Sequence, residues 1–258
     1  RIMAFTTINN GSLFMNTKIY TGDSASSRTI AGIGFEPSLT WNKPRTTAND
    51  HQWVDAVRGG GKVISSNLAD AEYTAGNTIL SFNSDGFTCG DGASVNANGV
   101  DYVSWNWKAN GAGSANTDGS INTTYTSANT TAGFSIIKYA GTGSSGTIGH
   151  GLSATPKVLI IKEIDGTESW RVWHRDAPNY STTALSLNSS SAEFSQTNWI
   201  GTVDNSIITL GTDSSINTSG NNYICYAFAE KQGFSKFSSY TGNGNNDGSF
   251  IYTGFSTA

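Results

Sequence analysis

The sequence predicts an all-β protein, built as two tandem antiparallel β-sandwich or jelly-roll-like repeats. Three observations carry that prediction. Segments recur at one offset: Tyr20 and Tyr139, Pro37 and Pro156, and Lys43 and Lys162 each lie 119 positions apart. Recurrence at a fixed period is the mark of a tandem architecture. In the stretch Tyr102 to Lys108, Val103, Trp105 and Trp107 alternate with Ser104, Asn106 and Lys108, the period of two that a half-buried strand requires. Short apolar segments are separated by Gly- and Asn-rich turns, and beyond one turn near residues 68–72 no helical period is sustained.

Composition narrows the function classes. Charged residues are 13% of the 258, against a globular norm of about 25%, while aromatics reach 11%. That aromatic content sets the chain apart from disordered ones. The formal net charge is −4 and no basic patch is present, so nucleic-acid binding has no electrostatic support. No apolar run approaches membrane-spanning length. Cys89 and Cys225 do not occupy equivalent repeat positions and read as buried small apolar residues rather than as a bridge.

In chain order, residues 1–17 read as an N-terminal arm, with a strand from Phe5 to Ile8 and a turn at Asn9-Asn10-Gly11. The first repeat spans 18–137. Its expected strands lie around Ile30, Leu39–Trp41, Ile79–Phe82, Phe87–Cys89 and Tyr102–Trp107, with a Gly/Asn/Ser/Thr-rich linker over 109–131. The second repeat spans 138–236. Val158–Lys162 answers Leu39–Lys43, the segment Trp170–Arg175 is aligned with Trp53–Arg58, and Tyr223–Phe228 answers Tyr102–Trp107. Residues 237–258 open with Tyr240-Thr241-Gly242, a third repeat start, expected to add a strand to the second repeat or to a neighbouring chain.

The recurring pieces are Tyr-x-Gly, the apolar strand ending in Lys, Asn-x-x-Gly-x-x-Tyr and Gly-Phe-Ser, while His150-Gly151-Leu152, answered by Ile33-Gly34-Phe35 in the first copy, and Trp105-x-Trp107-Lys108 are the most specific marks. With these motifs, from about Lys18 onward, the chain resembles a tandem repeat domain of marine bacteriophage tail-fibre-like virion proteins. The resemblance implies a component exposed on the particle surface after assembly in the host cytoplasm, with other virion subunits as partners in a homo-oligomer. It assigns no catalytic residue.

The residues themselves supply little chemistry. His51, His150 and His174 lack metal-ligand spacing to one another or to the cysteines, and no nucleophile elbow occurs. Asp85-Gly86 with Asp91-Gly92 has the oxygen donors for Ca²⁺, but two Asx-type turns explain it more simply. No metal, cofactor or catalytic set is therefore expected. Trp173 and Trp199 have no aromatic counterpart in the first repeat. With His150 they are the candidate surface or ligand contacts, set against a reading in which both tryptophans are core and the histidine is a strand-end residue bonding the backbone. The expected function is a non-enzymatic structural virion protein. The alternative is a glycan- or receptor-binding module using exposed aromatics toward a host surface glycan. A polysaccharide-degrading enzyme would need paired acids, and none is recognisable.

Overall fold

A computed structural model describes residues 6–255. The fold is all-β and antiparallel, arranged as sandwiches. The expected strand at Phe5 falls partly outside the described residues. Thr6 to Ile8 is not a strand, and Asn10 instead caps a 3-10 turn over Gly11–Leu13.

Nine strands form the first sandwich: β1 (Met15–Thr21), β2 (Arg28–Ala31), β3 (Leu39–Pro44), β4 (Gln52–Asp55), β5 (Lys62–Ser65), β6 (Tyr73–Thr74), β7 (Ile79–Asn83), β8 (Gly86–Cys89) and β9 (Asp101–Trp107). Its large sheet has the order β1-β9-β3-β4-β5-β6, and its small sheet β2-β8-β7. After β10 (Tyr125–Asn129), the second sandwich follows with β11 (Phe134–Ala140), β12 (Gly146–Gly149), β13 (Val158–Glu163), β14 (Arg171–His174), β15 (Thr183–Ser186), β16 (Phe194–Ser195), β17 (Ile200–Val203), β18 (Ile207–Leu210) and β19 (Asn222–Phe228). Its sheets run β10-β11-β19-β13-β14-β15-β16 and β12-β18-β17. Apart from β10, the strand orders of the two sandwiches correspond one to one. β10 forms a hairpin with β11 and covers its outer edge. The segment read as a linker is thus partly folded, and its Ser114 bridges to Thr126. The helical turn expected near residues 68–72 is absent; the one helical turn in the second sandwich, α1 (Ser214–Asn217), is capped by the Asp213 carboxylate.

Register tests the sequence alignment residue by residue. Trp41 faces Trp105 on β9 and Trp53 on β4. Ile160 faces Tyr226 on β19 and Val172 on β14. The position equivalent to Trp53 is therefore Val172, and the alignment of Trp53 with Trp170 is two residues out. Each segment opens with a Trp and closes with an Arg five residues on, and that spacing misled it.

Three apolar layers organise the molecule. Between the sheets of the first sandwich lie Ile30, Phe35, Val54, Val63, Ile79 and Phe87. Between those of the second lie Ile137, Tyr139, Leu159, Trp173, Trp199 and Cys225. The third layer joins the two large sheets face to face: Leu39, Trp53 and Ile64 from the first meet Ile136, Trp170, Ile224 and Tyr226 from the second. Trp53 packs edge-on to Tyr226 at 4.8 Å and to Trp170 at 5.2 Å between centroids.

The third layer decides which face of β9 is inward. The apolar residues Val103, Trp105 and Trp107 are only half-buried, whereas Tyr102, Ser104 and Asn106 are fully buried. The aromatic face looks toward the other sandwich, and the polar face looks into its own. Asn106 accepts from Thr40 Oγ1 at 2.9 Å and donates to the Asn16 carbonyl at 3.1 Å, and Asn42 donates to Ser94 O at 2.9 Å. These buried amides are thus hydrogen-bonded, as their desolvation demands.

One charged cluster lies within the interlayer. Arg58 Nε donates to Asp55 Oδ2 at 2.6 Å, and the Tyr226 hydroxyl donates to the same oxygen at 2.7 Å from the opposing sheet. The side chains of both Arg58 and Asp55 are fully buried. Burial works against the guanidinium charge, but Asp55, Tyr226 and Glu72 outweigh it and hold the Arg58 pKa above its ordinary value. Trp170 Nε1 donates to the Ser65 and Leu68 carbonyls of the first sandwich, both at 3.0 Å.

Breaking the cluster from one side leaves Asp55 as a buried, uncompensated charge. Arg58→Met is expected to cost about 3–5 kcal/mol in urea unfolding, and adding Asp55→Leu to recover part of it. A double variant no more stable than the single one would contradict this.

Candidate functional site

The motifs that recur in the sequence collect at one place in each sandwich, where the first strand meets the last. Tyr20 on β1 stacks on Tyr102 of β9 at 5.2 Å and 17°, and Tyr139 on β11 stacks on Tyr223 of β19 at 5.3 Å and 16°. The Tyr20 hydroxyl donates to Val95 O at 2.7 Å, and that of Tyr139 to Ile216 O at 2.8 Å. Tyr102 donates to Ala93 O and accepts from Ala97 N; Tyr223 donates to Ser214 O and accepts from Thr218 N. The motif asparagines, both fully buried, bind the loop after the first strand. Asn96 accepts from Asp23 N and donates to Ala25 O, while Asn217 accepts from Thr142 N and donates to Ser144 O.

The glycine of Tyr-x-Gly has a steric reason. A Cβ on Gly22 would collide with the Ala97 carbonyl, and one on Gly141 with the Thr218 carbonyl. Gly99 and Gly220, in Asn-x-x-Gly-x-x-Tyr, adopt φ of 74° and 85°, which glycine alone takes without strain. These constellations close the sandwiches. Burial holds the phenols of Tyr20 and Tyr139 well above the ordinary tyrosine range, so both stay neutral hydroxyl donors.

The three surface candidates are not at the surface. Trp173 and His150 are fully buried, and Trp199 is 1% exposed. Both tryptophans belong to the core of the second sandwich, and Trp173 packs edge-on to Tyr180 at 5.8 Å. Their lack of aromatic counterparts reflects a different core filling: Trp173 takes the strand position held by Val54 in the first sandwich. His150 Nδ1 accepts from Leu152 N at 3.2 Å, which leaves the proton on Nε2, 3.2 Å from Asp204 O. Burial lowers its pKa.

Asp85 binds backbone. Its carboxylate accepts from Gly32 N at 2.9 Å and Gly34 N at 2.7 Å, and those bonds lower its pKa. Among the described residues no group of three or more His, Cys, Asp or Glu is placed to hold a metal ion. Cys89 and Cys225 are buried free thiols; burial pushes Cys89 up to about 11 and Cys225 higher still, so neither is a reactive thiolate. Lys162 is fully buried and donates to the Glu163 and Gly166 carbonyls. Burial lowers its pKa to about 8.

The concave site that sequence reasoning missed is a groove of about 580 Å³ at one end of the interlayer. Its aromatic wall includes Phe14, Trp107, Phe134, Phe228, Phe234 and Phe237. These come from the start of β1, the ends of β9 and β19, the start of β11 and the segment after β19. The volume suits a small ligand, and an aromatic-rich lining suits stacking. Gly-Phe-Ser, present at Gly133 and Gly233, and the Trp105-x-Trp107-Lys108 motif marked parts of it in the sequence. Further along that last segment Tyr240, Phe250 and Tyr252 are 71%, 89% and 79% exposed. The third repeat start adds no strand to the second sandwich.

Two outcomes follow for the closures and the histidine. Gly141→Ala is expected to destabilise the chain by about 1–3 kcal/mol, because the Thr218 carbonyl has to move; an unchanged melting temperature would exclude that packing role. His150 has a folded pKa below its unfolded value, so its contribution is present above pH 6.5 and is lost as pH falls. Unfolding free energy should decline between pH 6.5 and 5, and less steeply in His150→Gln. Parallel pH curves for the two proteins would show that His150 is not responsible.

No curated protein and no solved structure matches the chain. Residues 10–258, which include both sandwiches, match a family described only as a domain of unknown function, DUF7483. The chain belongs to the DUF7483 family.

Proposed function

We propose that the chain is a non-enzymatic structural component of a bacteriophage virion, a tail-fibre, head-fibre or decoration subunit that assembles as a homo-oligomer with other virion proteins. The sandwiches are read as two copies of one unit. The observation that carries this reading is their common strand order, closed by the same Tyr–Tyr–Asn arrangement. Stacking large sheets face to face gives a stiff block suited to bearing load. The exposed apolar residues of the C-terminal segment suit subunit contacts. Placement on the particle surface rests on the tail-fibre-like sequence motifs.

A second reading, a glycan- or receptor-binding module of such a fibre, is favoured by the aromatic groove. Aromatic faces stack on sugar rings, and Ser12, Thr17 and Ser235 are polar residues among the lining.

Antibody labelling of intact particles in electron micrographs tests the first reading. Labelled projections on the particle are expected, and absence of the chain from purified particles refutes it. A glycan array tests the second: retained binding should fall at least tenfold in Trp107→Ala, and an array with no signal removes that reading.

A further inference from the structure

The segment after β19 reproduces the beginning of β1. Phe14 and Tyr20-Thr21-Gly22 find their match in Phe234 and Tyr240-Thr241-Gly242, with five residues between Phe and Tyr in both. In β1 this pattern has a defined job. Tyr20 stacks on Tyr102, the Thr21 hydroxyl donates to Asp101 at 2.7 Å, and Gly22 packs on the Ala97 carbonyl. In the later segment Tyr240 is 71% exposed, and nothing lies within 4 Å of a Cβ built on Gly242. The residues for closing a sandwich are present, and the described chain offers them no last strand to close against.

The rest of the segment fits the β1 position as well. On β1, Asn16, Lys18 and Tyr20 point inward while Thr17, Ile19 and Thr21 point out. The matching residues are Lys236, Ser238 and Tyr240 inward, and Phe237, Ser239 and Thr241 outward. Thr17 pairs with Trp105 on β9, so Phe237 in its place gives an aromatic cross-strand pair, a stabilising combination. β1 is also exchangeable. It lies at the end of its sheet with only β9 as a strand neighbour, whereas the equivalent β11 is flanked by β10 and β19.

We propose that Phe234–Gly242 of one copy occupies the β1 position on β9 of a second copy, in exchange for Phe14–Gly22. Each β9 keeps one edge strand, since the incoming segment gains the ladder that β1 gives up; the contacts of Phe234 with Phe14 and of Phe237 with Phe228 are the cost, and the extent of exchange follows protein concentration. The proposal does not rest on the virion reading, since it predicts association of the isolated chain.

Two experiments on the full chain test it. In the first, Tyr20→Ala weakens β1, and a peptide of residues 232–244 is titrated in. The peptide should recover at least half of the lost melting temperature, and the same peptide carrying Tyr240→Ala should recover none. In the second, Asp101→Cys and Thr241→Cys are combined and oxidised; the native thiols are buried and stay out of the reaction. Disulfide-linked dimers are expected on a non-reducing gel, rising with concentration. A Thr21→Cys/Asp101→Cys control shows that the site accepts a bridge, since those residues pair directly. Failure of the peptide to act, or a bridge that forms only within one chain or not at all, overturns the proposal.

Discussion

Everything in this structure depends on the large sheets being covered on both faces. An antiparallel sheet usually buries one face and leaves the other wet. Here β9 and β19 are each central strands whose two faces both meet protein. The smaller sheet of each sandwich covers one face, and the large sheet of the other sandwich covers the second. The interlayer therefore sets which way each strand is read: in β19, Tyr223 and Cys225 face the small sheet while Ile224 and Tyr226 face the partner sandwich. It also explains how Asp55 and Arg58 are buried without orphaning a charge. They answer each other, and Tyr226 reaches them across the layer.

The sandwiches share a strand order but fill their interiors differently. The positions of Thr40, Asn42, Ser104 and Asn106 in the first are taken by Leu159, Ile161, Cys225 and Ala227 in the second. All eight side chains are fully buried. A polar interior costs desolvation and has to be wired into hydrogen bonds to persist, whereas an apolar one is stabilised by area alone. The second sandwich accordingly holds the tryptophans, Trp173 and Trp199, and the first holds an asparagine and threonine network. The closures are the part the two sandwiches share in detail: a stacked Tyr pair, a buried Asn and a glycine against a carbonyl fix one geometry in both.

Much of this was legible in the sequence. Strand positions followed from period two and Gly/Asn turns, and the Tyr-x-Gly and Asn-x-x-Gly-x-x-Tyr motifs marked the closures that the register then brought together. What was not legible has physical causes. Alternation in β9 shows that two faces differ, but not that the aromatic one meets a second sandwich while the polar one turns inward. Trp53 and Trp170 look equivalent because an Arg follows each five residues on, yet only pairing with Trp41 and Ile160 fixes the register. The groove was invisible because its walls come from five separated segments. Trp173 and Trp199 stood out only because the first repeat has no aromatic counterpart for them; Val54 stands where Trp173 does, and the pattern of residue types does not show that the second interior is filled by larger side chains.

The claim on which the account turns is that the interlayer couples the two sandwiches into one cooperative structure. Scanning calorimetry of the intact chain tests it directly. The account predicts one transition whose calorimetric and van't Hoff enthalpies agree. Two transitions, or a van't Hoff enthalpy near half the calorimetric one, would show that the sandwiches unfold independently and that the shared layer does not hold them together.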